Sequence, residues 1–170
     1  MVLLQNKTFV ETQDCKEMKI SFLIQENTTI GGTERTTCCL ANQMARQGHQ
    51  VSIVSIFGVN GRCAFDLEDS VKFEILSDVR YGLKMSALRR GLEMVKVVRK
   101  VKKSQLLRDA DVIIAQKFFA AIAAVSARYR AKLIVGDHFP YAKYKQPVRW
   151  LRDRIYGMAK TVVVLTSDYK

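Results

Sequence analysis

Short runs of consecutive apolar residues recur along the chain, separated by longer stretches in which apolar positions return every three or four residues. The runs are Met18 to Ile24, Val51 to Phe57, Val71 to Leu76, Val112 to Ala115, Leu133 to Val135 and Val162 to Leu165. Unbroken Val/Ile/Leu runs suit strands buried on both faces, and the helical spacings between them suit crossover connections. The pattern therefore predicts an α/β fold, a doubly wound parallel sheet. Ligands of such sheets bind beyond the carboxyl ends of the strands. That singles out Gln25 to Glu34, Phe57-Gly58, Gln116-Lys117, Gly136 to His138 and Thr166-Ser167. Residues 1–17 are polar and aperiodic, and are expected to form a leader outside a single domain over 18–170.

Gly31-Gly32-Thr33-Glu34 joins the first strand to a helix expected to end near Gln47. Adjacent glycines permit positive φ and close approach to the backbone, while a helix starting there directs unpaired N–H groups and a positive dipole end into the same space. This is anion-binding geometry, although a plain strand-to-helix turn fits the same residues. Thr33 is expected as the N-cap, Glu34 as a negative charge in the first turn, and Gly48 as the left-handed residue that stops the helix. Cys38, Ala41 and Ala45 form its apolar stripe. His49, at the helix exit and the opposite end of the sheet, reads as a structural turn residue.

Charge changes the picture more than overall composition does. A net charge of +12 implies an anionic partner: nucleic acid, an acidic membrane surface or a phosphorylated substrate. Much of it lies between Met85 and Leu107, where Arg89, Lys96, Lys100 and Lys103 share one helical face and Leu88, Val95, Val98 and Val101 take the opposite arc. A solvated surface helix, a membrane-surface helix and a nucleic-acid contact all fit this pattern. A second basic stretch, Lys143 to Arg154, sets Lys145, Arg149 and Arg152 around Trp150 and Tyr156. Trp150 suits either a headgroup interface or core packing. Nucleic acid is the least expected partner, since neither an aromatic stacking platform nor a recognition-helix arrangement is evident.

Several chemistries are disfavoured. No apolar run approaches the ~20 residues that span a bilayer, and Val2-Leu3-Leu4 is too short for a secretory signal, so a cytoplasmic location is expected. Cys15, Cys38, Cys39 and Cys63 have no C-x-x-C spacing and read as reduced thiols. Gly31-Gly32 does not complete G-x-G-x-x-G, no acid follows Ile56-Phe57-Gly58, and neither G-x-x-x-x-G-K-[ST] nor G-x-S-x-G occurs. With two histidines far apart, no metal and no cofactor are expected.

Read together, Met18-Lys-Ile-Ser-Phe-Leu-Ile24, Gly31-Gly32-Thr-Glu34, Leu40-Ala41-Asn42 and Gly48-His49-Gln-Val51 resemble the amino-terminal domain of family 4 retaining glycosyltransferases, which have the GT-B fold. Gly136-Asp137-His138 and Ala159 to Thr166 are similar to later parts of that domain, in the family's order. The resemblance implies one Rossmann-like GT-B half-domain that shapes the acceptor side of a cleft, with the donor-binding carboxyl-terminal domain absent. It implies a nucleotide-sugar donor as substrate and a glycan or lipid-linked acceptor, as in surface polysaccharide or glycolipid synthesis. An anionic membrane surface, met by the basic helix from the cytoplasmic side, is a further implied partner. Gly31 and Gly32 would lie against the donor diphosphate and His138 near the transferring sugar, as the catalytic candidate. Glu34, Lys117, Asp137 and Thr166 are the remaining cleft candidates, and a structural role stays open for Glu34 and His138. The family's donor-holding glutamates have no counterpart here, so the chain alone is expected to be inactive. The alternative is a truncated stand-alone fragment that acts at most as a binding module.

Overall fold

Doubly buried apolar runs pair as parallel strands in the structure, a computed structural model that describes residues 16–59, 61–78, 87–137 and 145–164, with backbone alone at 87–91. Six strands form one sheet: β1 (Lys19–Glu26), β2 (Gln50–Phe57), β3 (Lys72–Ile75), β4 (Val112–Gln116), β5 (Leu133–Asp137) and β6 (Thr161–Val164). Their order is β3-β2-β1-β4-β5-β6 and every neighbouring pair is parallel. The chain winds outward from β1 in one direction and then, from β4, in the other. The order therefore reverses between β1 and β4, which is where doubly wound sheets open a crevice.

Alternation along β1 divides the core in two. Ile20, Phe22 and Ile24 point to one side and meet Cys38 and Ala41 of α1 (Gly32–Arg46), with Val51 and Ile53 of β2. Leu23 points to the other, where Val54, Val97, Val101, Leu107, Ile113 and a run of alanines from α4 (Lys117–Ser126) close over it. Phe22, Leu23 and Ile24 are fully buried, and burial of each such side chain stabilises the fold by about 1.5–3 kcal/mol. Small alanines at 120, 121, 123 and 124 let α4 lie close to the sheet.

The basic helix departs from the sequence expectation twice. It runs as α2 (Ala87–Lys103), breaks at Ser104 and restarts as α3 (Gln105–Asp109). Ser104 leaves helical geometry (ψ 122) and donates its hydroxyl to Glu74 Oε2 at 2.6 Å, which turns Leu107 into the core. The buried side of α2 carries Val97 and Val101, so Val95, expected to be inward, is 49% exposed beside Leu92 at 58%. The last helix, α5 (Val148–Tyr156), precedes β6 and leaves Trp150 on the surface with the Arg154 guanidinium 5.9 Å from its ring. Among the described residues, no helix is long and apolar enough to cross a membrane.

Candidate functional site

The crevice at the β1/β4 reversal is built by two turns that face each other. On one side, β1 ends at Glu26 and the chain reaches α1 through Ile30, 88% exposed, and Gly31. Arg35 N–H donates to Gly31 O, so the N–H groups before it have no partner within the helix and α1 presents them at the crevice. On the other side, β4 passes directly into α4 at Lys117, whose φ of 69° is a left-handed conformation unfavourable for a side chain of this kind. Two helix amino ends thus meet at adjacent strand ends.

Glu34 and Lys117 connect the two turns. Lys117 Nζ donates to Glu34 Oε1 at 3.1 Å, with Glu34 mostly buried and Lys117 half exposed. The other carboxylate oxygen of Glu34 explains one glycine: a Cβ at Gly31 would lie 2.1 Å from Oε2. At Gly32 a Cβ would meet nothing within 4 Å, so the space over that residue is open. Neither glycine has a positive φ, and Gly31 is extended (φ −161). The turn therefore uses its glycines for room and not for left-handed backbone. Thr33 lies inside α1 and not at its cap; the cap is Gly31, which has no side chain to bond. The Gly48 expectation holds, with φ at 87° immediately after the helix.

The other residues singled out from the sequence separate into distinct places. Asp137, at the end of β5, is fully buried and accepts Arg152 Nε at 3.0 Å and Nη2 at 2.7 Å on one oxygen. Arg152, grouped by sequence with surface cations, is itself buried and stacks its guanidinium 4.5 Å from the Tyr156 ring centroid. Its role is to fasten α5 under β5. Gly58 sits where β2 ends, and a Cβ there would meet Thr28 Cγ2 at 2.7 Å and Ile75 Cδ1 at 2.9 Å. His138 and Thr166 lie outside the described residues, as do the side chain of Arg89 and residues 1–15 of the expected leader. On α2, Lys96 pairs with Glu93 and Lys100 Nζ donates to Leu76 O at 2.7 Å, while Lys103 is exposed.

Sequence reasoning passed over Asn27, which is fully buried directly after β1. Its N–H donates to Ser55 Oγ, its carbonyl accepts Ala64 N–H, and its side-chain amide donates to both Cys38 Sγ and Cys63 Sγ. Only its position inside the Gln25 to Glu34 window marked it, because its partners come from three separate segments. A cavity of about 270 Å³ opens at the opposite, amino edge of the sheet, with Lys19, His49, Lys72 and Leu106 among its walls, and takes no part in the crevice. Among the described residues, no group of three or more His, Cys, Asp or Glu side chains is placed to hold a metal ion.

Helix N–H groups without partners inside α1, open space over Gly32 and the half-exposed Lys117 ammonium make a crevice suited to a phosphate-bearing ligand in a doubly wound α/β domain. Comparison with known proteins assigns the family. The sequence model described as Glycosyltransferase Family 4 matches residues 30–170, and the chain belongs to that family. It is 27% identical over 123 residues to an uncharacterized glycosyltransferase of Haemophilus influenzae, a match covering 72% of this chain and 33% of that protein. The chain thus spans about a third of the length of this relative. Among solved structures it is similar to the apo form of the lipopolysaccharide outer core galactosyltransferase WaaB, with a TM-score of 0.53 and 17% identity over 89% of this chain and 40% of that one. At this identity the likeness is one of fold: the domain is a Rossmann-like half of a GT-B architecture.

Proposed function

We propose that the chain forms the acceptor-side half of a nucleotide-sugar-dependent glycosyltransferase, acting on a glycan or lipid-linked acceptor in surface polysaccharide or glycolipid synthesis. The observation that carries this reading is the crevice at the β1/β4 reversal, with Gly32 open, the α1 N–H groups beside it and Lys117 opposite. Departure of a nucleoside diphosphate builds negative charge, and donors fixed before the reaction stabilise that charge without reorganising. In this reading the diphosphate lies over Gly32 and the Lys117 ammonium exchanges part of its contact with Glu34 for a phosphate oxygen. Asp137 and Arg152 hold the end of β5, from which the chain continues to His138, the catalytic candidate.

The test is titration of the isotope-labelled chain with uridine or guanosine diphosphate, followed by amide shifts. Weak binding that moves the Gly31, Gly32 and Lys117 amides first is the expected result, because one wall of a cleft supplies part of a site. No perturbation at these amides at millimolar nucleotide, or perturbation centred elsewhere, would overturn it.

A peripheral position on the cytoplasmic face of a membrane is the second part of the reading. Leu92 and Val95, both exposed, stand on the same side of α2 as Lys96, Arg99 and Lys103. Apolar side chains among cations suit the headgroup boundary of an anionic bilayer better than they suit water.

A further inference from the structure

The thiols of Cys38 and Cys63 lie 3.3 Å apart, sulfur to sulfur, although 25 positions separate them in sequence. Cys38 is buried on the inner side of α1, and Cys63 is partly exposed in the loop that follows β2. Contacts that involve neither sulfur keep them adjacent. Ala64 N–H donates to Asn27 O at 2.9 Å, Asn42 Nδ2 to Asp66 O at 3.0 Å, and Glu68 N–H to Asn42 Oδ1 at 3.0 Å, so the segment directly after Cys63 is stitched to the end of β1 and to α1. The Asn27 amide then donates to Cys63 Sγ at 3.1 Å and to Cys38 Sγ at 3.3 Å. Its own oxygen, Oδ1, is buried without a hydrogen bond among the described residues. Placing a fully buried amide with its donor end on two sulfurs and its acceptor end unsatisfied is costly for packing alone. It is the arrangement expected where negative charge on sulfur is to be stabilised.

We propose that Cys38 and Cys63 form a redox-active thiol pair, in which Cys63 attacks a low-molecular-weight disulfide and Cys38 resolves the product, closing a reversible disulfide between α1 and the loop after β2.

The electrostatics agree with this division of labour. A hydrogen bond from Cys38, together with the backbone N–H groups of Phe65 and Ala64, lowers Cys63 to about 7, against burial and the nearby Asp66 carboxylate, which oppose it. Cys38 is pushed up, first by its bond to Cys63 and then by burial, and stays a protonated donor. The Cys63 thiolate attacks one sulfur of the small disulfide, an S–S bond breaks, and one small thiolate leaves. Cys38 then attacks Cys63 Sγ, the mixed S–S bond breaks, the second small thiolate departs, and the Cys38 proton ends on a released thiol. The net change is two protein thiols oxidised and one small disulfide reduced to two thiols. Closure needs the sulfurs to move from 3.3 Å to about 2.05 Å, within the reach of side-chain rotation. Cys39, the next residue of α1, is exposed and serves as an internal comparison.

The experiment uses the full reduced chain, incubated with oxidised glutathione, quenched with N-ethylmaleimide and mapped by peptide mass spectrometry. A Cys38–Cys63 linkage is expected that dithiothreitol reverses. Cys38→Ser should stop at a glutathione adduct on Cys63, whereas Cys63→Ser should leave Cys38 unmodified. The initial rate should rise with a midpoint near pH 7. If both thiols remain free while Cys39 is modified, or Cys63 forms no adduct in the Cys38→Ser chain, the proposal fails. Cys38→Ala, which keeps the site apolar, guards against a folding defect of the serine variant, and the same adduct is expected there.

Discussion

Lys117 reaches back across the β1/β4 gap to Glu34, Nζ to Oε1 at 3.1 Å, from a backbone conformation that disfavours its own side chain. The strain and the contact are linked, since the left-handed turn is what brings α4 off β4 at the crevice. Lys117→Gly should relieve a cost of about 1 kcal/mol, while the half-exposed ion pair it removes contributes less than about 1 kcal/mol. Stability in urea is therefore expected to stay level or rise slightly, with nucleoside diphosphate binding weakened roughly three- to tenfold. Lys117→Met keeps the strain and should lose the same binding. Undiminished affinity in both variants would remove Lys117 from the site.

The two glycines of the turn are predicted to behave oppositely. Gly31→Ala drives Cβ into Glu34 Oε2, so the carboxylate must swing away from Lys117; Gly31→Ala in a Glu34→Ala background should cost much less, giving a measurable coupling energy in a double-mutant cycle. Gly32→Ala meets no atom and improves helix propensity, so the domain should gain about 0.5–1 kcal/mol. Its methyl group would nonetheless occupy the space assigned to the diphosphate. A Gly32→Ala chain that binds nucleotide as well as the parent would displace the ligand from that position.

The Asp137–Arg152 pair is a buried, doubly hydrogen-bonded ion pair, and Arg152 also donates from Nη1 to Asp153 Oδ1 at 3.2 Å. Arg152→Met should destabilise the domain by about 3 kcal/mol in denaturant unfolding, and Asp137→Leu by less, because the Arg152 guanidinium keeps its contact with Asp153. The double variant Asp137→Leu with Arg152→Met should recover part of that loss. Additive losses in the double variant would mean that the pair is not the dominant interaction of either residue.

Strand positions were legible because their signal is local: Ile20 to Ile24 and Val51 to Phe57 carry their burial in their own composition. The Gly48 stop was equally local. Thr33 misled because a good capping residue two positions too late competes with Gly31, whose carbonyl already accepts the first helical bond. Val95 misled because the periodic pattern fixes a face only to within a fraction of a turn, and Val97 and Val101 decide which way α2 rolls. What no spacing could reveal is tertiary pairing. Arg152 reads as one more surface cation until β5 places Asp137 under it, and Cys63 is a lone thiol until its loop folds onto α1.

Stability should depend on pH through Cys63. Its pKa falls from an unfolded value near 9 to about 7 in the fold, so between these values the unfolded chain binds the proton that the folded one has released. Stability is then fully present above pH 9 as far as this group is concerned, and is lost as pH falls toward 7. Cys38, pushed up, acts in the other direction once pH exceeds 9, because the folded chain keeps a proton that the unfolded chain gives up. Under reducing conditions the urea midpoint should rise from pH 7 to 9 and then decline, and Cys63→Ser should flatten the rising limb. An unchanged pH profile in Cys63→Ser would contradict this assignment.

The exposed side of α2 makes the membrane reading testable apart from any transfer activity. Leu92 and Val95 supply apolar area and Lys96, Arg99 and Lys103 supply charge, and the two contributions respond to different perturbations. Each cation near an anionic leaflet contributes about 1 kcal/mol, a factor of roughly five in binding, and the attraction shortens with the Debye length, from about 10 Å at 0.1 M salt to about 3 Å at 1 M. Flotation with vesicles containing phosphatidylserine should therefore recover the chain at low salt and release most of it at high salt. Neutral phosphatidylcholine vesicles should recover little at either. Replacing Arg99 and Lys103 with glutamine should weaken flotation roughly 25-fold, and Leu92→Ser with Val95→Ser should weaken it at all salt concentrations without altering the slope of the salt dependence. Equal recovery on neutral and anionic vesicles would rule out the electrostatic part, and unaltered recovery after the serine substitutions would rule out insertion of this face.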